Sequence, residues 1–225
     1  MALPLHTLDV FTDRRFSGNP LAVVRDADEL DTERMQTISR ELNLSETVFI
    51  QKAQNPAHSA RVRIFTPARE LPFAGHPTIG TAILLAQLRA ADANGESDAI
   101  IVLEEAIGTV RVGVRLRAGE PPFAEFDAPK LPEAGAMAAP PRDRIADAVG
   151  LLPREIGFEN HTPRCLSAGN GFVFVPVSDL EAIARARVEP GEWGAVFPDT
   201  SCAGVYLYTR ECVHNGAAFH ARMFA

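Results

Sequence analysis

The sequence predicts an α/β protein built from two related halves, and three observations predict it. Strand-like and helix-like patterns alternate along the whole chain. Residues 121–141 are rich in proline and alanine, which is typical of a linker or a crossover. ARVRIFTP at 60–67 and HARMFA at 220–225 share an Arg-apolar-Phe pattern, which indicates a repeated unit. We therefore predict a first domain over 1–120, a linker over 121–141 and a second domain over 142–225.

The first half opens with a strand pair and a helix. LHTLDVFTD and LAVVRD are strand-like, and the FSGNP turn between them predicts a hairpin. Asp31 is a candidate N-cap, apolar residues follow it three to four apart, and Asn43 closes the predicted helix. The next run, LSETVFI, alternates as a strand does.

A strand and a helix follow. ARVRIFTP is a strand ended by Pro67, and PTIGTAILLAQLRA is a helix with Pro77 at its first position. Asn94 and Gly95 predict a turn, after which AIIVLEE and TVRVGVRLR form two strands around Gly108.

The second half is also predicted to contain both helices and strands. A helix is expected near 143–149, and a strand follows the SAGNG turn. Ser178 and Glu181 have capping-box spacing and begin a helix. CAGVYLYTR and AAFHARMFA are the final strands.

Composition narrows the function classes. The chain has 225 residues, 46% hydrophobic, and a net charge of -7 with scattered basic residues, so we expect neither nucleic-acid nor membrane partners. Three cysteines are too few for a disulfide framework, and no segment is typical of a leader or a membrane span. A cytoplasmic protein is predicted, and a homodimer is compatible with the sequence.

Glu46 is the first candidate for chemistry. Alternation places it on one strand face with Leu44, Val48 and Ile50. Apolar neighbours disfavour the charged form and raise the pKa of a carboxyl, which suits a general acid/base. Alternatively, its carboxylate reaches solvent or a main-chain amide and has a structural role.

The second candidate is GHPTIG, at residues 75–80. A helix N-terminus presents unpaired N–H groups and a partial positive charge, so Gly75, His76, Pro77 and Thr78 are predicted to bind a substrate carboxylate. His76 could also relay a proton. The structural alternative is that Gly75 only turns the chain and His76 only caps the helix.

A metal site is a weaker alternative. Cys202, Cys212, His214 and His220 lack the paired spacing of metal ligands, so no metal is predicted. Nucleotide-binding and serine-hydrolase motifs are absent from the sequence.

Five stretches resemble the PhzF-like phenazine-biosynthesis family, which is related to the diaminopimelate epimerases. They are LDVFTDRRFSGNPLAVV, LNLSETVFI, RIFTPARELPFAGHPTIGTA, SAGNGFVFVPV and HARMFA, and they occur in the family's order. The resemblance implies two similar domains, each a curled sheet around a central helix, with a cofactor-independent active site. It implies an isomerase that moves a proton on a small cyclic carboxylic acid, of the dihydro-hydroxyanthranilate type.

The resemblance also implies the site residues. Glu46 in SETVF is the acid/base, and Gly75, His76 and Asn19 line the site. Epimerases of this fold use two thiols, but the first of these positions is Ala74 here, so a two-cysteine racemase is not expected.

One departure concerns the end of the chain. Family members continue past RMFA into a second half-site, so the resemblance implies a chain truncated at the C-terminus, with an incomplete second domain. Two alternatives to the isomerase therefore stay open. They are a catalytically silent protein that binds a small acid or a partner, and an epimerase of unknown substrate.

Overall fold

The protein consists of two compact units, Met1–Pro129 and Lys130–Ala225. The computed structural model describes residues 2–90, 96–135, 137–168, 171–198, 204–213 and 215–224. The predicted turn at Asn94 and Gly95, part of the SAGNG turn, Cys202 and His214 lie outside these residues.

In the described residues of the first unit there are one eight-stranded sheet and two helices. The strands are β1 (Leu5–Val10), β2 (Asn19–Val24), β3 (Glu46–Gln51), β4 (Ala60–Phe65), β5 (Glu70–Leu71), β6 (Ser97–Glu105), β7 (Gly108–Leu116) and β8 (Phe123–Phe126). The helices are α1 (Thr32–Leu42) and α2 (Gly75–Ala90). The strand order is β1-β2-β3-β4-β6-β7-β8, with β5 paired to β4. The β2/β3 and β4/β6 pairs are parallel, and the other pairs are antiparallel.

Helix α2 lies inside the curl of this sheet. It packs against strands from both ends of the sheet order, β1 and β2 at one end and β7 and β8 at the other. None of residues 75–86 is exposed, as expected of a helix surrounded by a sheet, and the exposed residues Gln87, Leu88 and Arg89 lie in its last turn. Gly80 allows the close approach, since an added Cβ would lie 2.7 Å from the Leu21 side chain. The predicted curled sheet around a central helix is thus confirmed for this unit.

The start of α2 differs from the prediction by two residues. The helix begins at Gly75, so Pro77 is its third residue and not its first. The first main-chain helical bond runs from the Thr78 N–H to the Ala74 carbonyl, 3.2 Å away. Because that bond comes after Pro77, the missing proline N–H costs no helical hydrogen bond.

Helix α1 covers the outer face of the sheet. The Asp31 side chain accepts a hydrogen bond of 2.8 Å from the Arg34 N–H, and Asn43 ends the helix in a left-handed conformation. Both predicted caps are confirmed. Met35 packs with Phe49 and other outer-face residues in a small second core.

The part of the second unit that the structure describes contains a five-stranded sheet and three short α-helices. The strands are β9 (Glu133–Ala134), β10 (Arg164–Ser167), β11 (Gly171–Pro176), β12 (Gly204–Thr209) and β13 (His220–Phe224), and the helices are α3 (Arg142–Val149), α4 (Leu180–Arg185) and α5 (Pro190–Val196). The order is β13-β12-β11-β10-β9, and only β11/β12 is parallel among the described pairs. The helices and the sheet share one apolar core. The N-cap of α4 is Asp179 rather than the predicted Ser178, whose hydroxyl instead donates to Asp179.

The proline-rich segment 121–141 contributes a strand to each sheet. Strand β8 pairs with β7, and β9 pairs with β10, so the boundary between the units falls after Pro129. Among the described residues, no helix combines the length and the apolar character needed to cross a membrane.

Candidate active site

Three elements of the first unit bring Asn19, Glu46 and His76 together. Asn19 begins β2, Glu46 begins β3, and these strands are parallel neighbours. His76 is the second residue of α2, and its ring contacts both of the others. Strand pairing and the burial of α2 therefore fix the three side chains.

A chain of two hydrogen bonds, from Ser45 to Asn19 and from Asn19 to His76, orients the His76 ring. The Ser45 hydroxyl donates to Asn19 Oδ1 at 3.0 Å, which turns the Asn19 amide nitrogen toward His76. That nitrogen lies 3.1 Å from Nδ1 of His76. With this orientation of the amide, Nδ1 is the acceptor, so the hydrogen-bond network assigns the proton of the neutral ring to Nε2.

The other ring nitrogen faces the Glu46 carboxyl. His76 Nε2 lies 3.3 Å from Glu46 Oε2, and the two side chains are only 8% and 15% exposed. The two atoms are not aligned as a hydrogen bond, and each is buried without a partner among the described residues. Such groups are rare in proteins, so two converging ones indicate a place for a polar ligand atom.

Burial shifts the pKa values of Glu46 and His76 in the directions that favour their neutral forms. It raises the pKa of Glu46, and the neighbouring Ser45 hydroxyl lowers that pKa by a smaller amount. It lowers the pKa of His76 to about 4, against a smaller opposing effect of the Pro20 carbonyl. His76 is therefore a neutral N–H donor at neutral pH, and Glu46 is a stronger base than an exposed glutamate.

The remaining predicted site residues form the first turn of α2. The amides of Gly75 and His76 precede the first helical hydrogen bond, as the prediction of an anion-binding helix start requires. Pro77 is buried and carries no N–H. Thr78 is buried as well, and its hydroxyl contacts the Ala74 carbonyl and Glu105 inside the unit.

Two polar residues at this end of α2 were missed by sequence reasoning. Ser45 orients Asn19. In the sequence, its position beside Glu46 in the SETVF stretch was the signal that could have pointed to it. Glu105 contacts Thr78. A signal for Glu105 existed, because strand alternation places it on the same face as buried Ile101 and Leu103.

A metal centre is not found in the described part of the chain. No three His, Cys, Asp or Glu residues converge there. Cys212 and His220 do not assemble a site with other ligands, while Cys202 and His214 lie outside the described residues.

The fold and the buried Glu–His pair define an α+β protein with a candidate acid/base site, and similarity to known proteins assigns its family. The family model described as phenazine biosynthesis-like protein (PhzC-PhzF) matches residues 8–225. The chain belongs to this family, as its resemblance indicates. The match runs to residue 225, so it does not confirm the predicted truncation.

Three similar proteins illustrate the match. An uncharacterized isomerase of Mesorhizobium japonicum is 52% identical over 96% of this chain and 70% of its own length. A trans-2,3-dihydro-3-hydroxyanthranilate isomerase of Pseudomonas aeruginosa is 44% identical over 50% of this chain and 38% of its own length. The solved structure of a predicted epimerase of Pseudomonas aeruginosa is 36% identical, with a TM-score of 0.76 over 92% of this chain and 70% of that chain. The chain thus spans about 70% of the first and third of these proteins and a smaller part of the second.

Proposed function

We propose that the protein is a proton-transfer isomerase of the PhzF type, with Glu46 as the acid/base. Its substrate is a small cyclic carboxylic acid of the dihydro-hydroxyanthranilate type. The observation that carries this proposal is the buried contact of 3.3 Å between Glu46 Oε2 and His76 Nε2, two polar atoms that face each other without aligned partners. A polar ligand atom to one side of the pair, at hydrogen-bond distance from each, could contact both.

Glu46 moves the proton. Its carboxylate removes a proton from one ring carbon, so that a C–H bond breaks and an O–H bond forms on Glu46. The same carboxyl then returns the proton to another carbon of the same ring, and the double bonds shift between the two steps. The raised pKa of Glu46 favours this exchange, because a general base works best when its pKa lies near the working pH.

His76 stabilises the negative charge that develops in the first step. Its Nε2–H faces the site, while Asn19 holds Nδ1 from the opposite side of the ring. A neutral donor fixed in place needs no reorganisation when charge appears on the substrate. The amides of Gly75 and His76 at the start of α2 are the proposed anchor for the substrate carboxylate, with Pro77 and Thr78 shaping the turn.

The relatives support this reaction class. Similar chains carry the names isomerase, predicted epimerase and trans-2,3-dihydro-3-hydroxyanthranilate isomerase. We further propose that the reaction needs no cofactor or metal, that the enzyme is a cytoplasmic homodimer, and that it binds neither nucleic acid nor membranes.

A pair of variants tests the proposal. Glu46→Gln keeps the size of the side chain but removes the base, so it should abolish isomerisation of trans-2,3-dihydro-3-hydroxyanthranilate. Glu41→Gln, at an exposed position near the end of α1, is the matched control and should retain wild-type turnover. Product formation is followed by chromatography, and circular dichroism verifies the fold of both variants. Unchanged turnover in Glu46→Gln would refute the assignment, and binding without turnover in the wild type would favour a catalytically silent protein.

A further inference from the structure

Glu105 is a buried carboxyl that the proposed reaction does not use. It ends β6 and is 7% exposed. Its Oε1 lies 2.7 Å from the Thr78 hydroxyl, whereas its Oε2 is buried without a hydrogen-bond partner among the described residues. An ionised carboxylate in this position would leave a charged oxygen without a donor.

The hydrogens around Thr78 determine which form of Glu105 fits. The Thr78 hydroxyl oxygen contacts two oxygens, the Ala74 carbonyl at 2.8 Å and Glu105 Oε1 at 2.7 Å. A hydroxyl has one hydrogen to donate, and a carbonyl oxygen can only accept. Both contacts are hydrogen bonds only if Thr78 donates to Ala74 and a protonated Glu105 donates to Thr78.

From this geometry we propose that Glu105 is held as a neutral carboxylic acid and is a positioning residue for the first turn of α2. Its O–H supports Thr78, and Thr78 supports Ala74, the residue just before Gly75 and His76. The proposal rests on the proposed function, since the group that it positions is His76.

The charged groups near Glu105 do not supply the missing partner. A cavity of about 570 Å³ lies beside it, at the fork where β4 separates from β6. The charged or titratable residues that line this cavity with Glu105 are His58, Arg61, Arg63, Glu70 and Glu104. Arg63 pairs with Glu70 and His58 pairs with Glu104, while Arg61 is exposed. On the α2 side, the polar contact of Glu105 is Thr78.

The position of the first turn of α2 affects the proposed reaction. His76 and Thr78 belong to the same helical turn, so a shift of Thr78 also moves the imidazole relative to Glu46. Misplacing a catalytic group by about 1 Å can slow a reaction on the order of a hundredfold. Ionisation of Glu105 would break the donor chain and loosen the turn.

Infrared spectroscopy tests the protonation without any substrate. At about pH 6, the wild type should show the carbonyl band of a buried carboxylic acid. The comparison is made in a Glu46→Gln background, because Glu46 is a second buried carboxyl with a raised pKa. There the band should disappear in Glu105→Gln and persist in Glu104→Gln, the variant of the neighbouring carboxyl. An acid band that persists in Glu105→Gln, or no such band in the wild type, would overturn the proposal.

Kinetics and NMR test the positioning. Glu105→Ala should lower kcat tenfold to a hundredfold with a smaller change in KM, on the order expected for a displaced catalytic group. Glu105→Gln, whose amide can donate to Thr78, should restore kcat. The 15N resonances of the His76 ring should move in Glu105→Ala and return in Glu105→Gln, and this holds even if the assayed acid is not the substrate.

The two proposals can therefore fail separately. If wild-type protein does not turn over the acid, the proposed function fails, while the infrared band and the His76 resonances still decide the role of Glu105. Wild-type kcat and an unmoved His76 ring in a folded Glu105→Ala variant would overturn the positioning role. If Glu105→Ala does not fold, the wild type is titrated with pH instead. His76 resonances that do not move while the infrared band of Glu105 disappears would then overturn the positioning role.

Discussion

Raising the pH from about 5 to about 8 should destabilise the wild-type protein relative to a Glu105→Gln variant. The folded protein holds Glu105 in its protonated form, whereas the unfolded chain releases this proton at lower pH. The free energy of unfolding therefore falls as the pH rises. A glutamine cannot ionise, so the variant should lack this part of the pH dependence.

The size of the effect follows from the burial of the carboxyl. Burial raises the pKa of Glu105 from 4.5 to about 7, against the smaller opposing effect of Thr78. Each pKa unit is worth about 1.4 kcal/mol, so ionised Glu105 costs the folded state about 3 kcal/mol. The difference between the two proteins should grow from about pH 4.5 to about pH 7 and stay constant at higher pH.

Urea unfolding at a series of pH values measures this difference. The neighbouring Glu104 is the control, because main-chain N–H groups of Asn55 and Gln54 hold its pKa below its ordinary value. Its contribution to stability is lost as the pH falls, so Glu104→Gln should lose stability at neutral pH and approach the wild type in acid. A difference between wild type and Glu105→Gln that does not change with pH would refute the buried neutral acid.

Three further predictions concern the core and the site. Gly80→Ala should destabilise the protein by about 1–3 kcal/mol in urea unfolding, because its Cβ would press on the side chains of β1 and β2. Gly113→Ala is the control and should be nearly neutral, because its Cβ would lie 3.8 Å from its nearest neighbour. Equal effects of the two substitutions would contradict the close packing of α2. Asn19→Ala should lower kcat on the order of tenfold or more, because the His76 ring loses the partner that orients it, and a wild-type kcat would contradict that role. The kcat/KM of the wild type should fall in acid as Glu46 becomes protonated, at a higher pH than for an exposed glutamate; a midpoint at the ordinary value would show that burial does not tune this group.

Local sequence signals predicted most of the first unit. Asp31 and Asn43 are specific cap residues, and the structure uses both. The helical composition of PTIGTAILLAQLRA identified helix α2, and the strand alternation around Glu46 placed a carboxyl among apolar residues. Each of these signals is complete within a few residues, so no knowledge of distant contacts was needed.

The remaining features depend on contacts between segments that are distant in the sequence. The Asn19–His76 and Thr78–Glu105 contacts join residues 57 and 27 positions apart, and only the curl of the sheet around α2 brings them together. The segment 121–141 was interpreted from its prolines, although its two short strands are defined by their pairing partners in each sheet. Composition could not indicate those partners.

Solvent exchange tests the central claim most directly. In heavy water, the wild type should place deuterium on a ring carbon of trans-2,3-dihydro-3-hydroxyanthranilate or its isomer, because a carboxyl that shuttles a proton also exchanges it with water. Mass spectrometry counts the deuterium, and Glu46→Gln should incorporate none above the uncatalysed background. Incorporation by Glu46→Gln at the wild-type rate would contradict Glu46 as the proton-transfer residue.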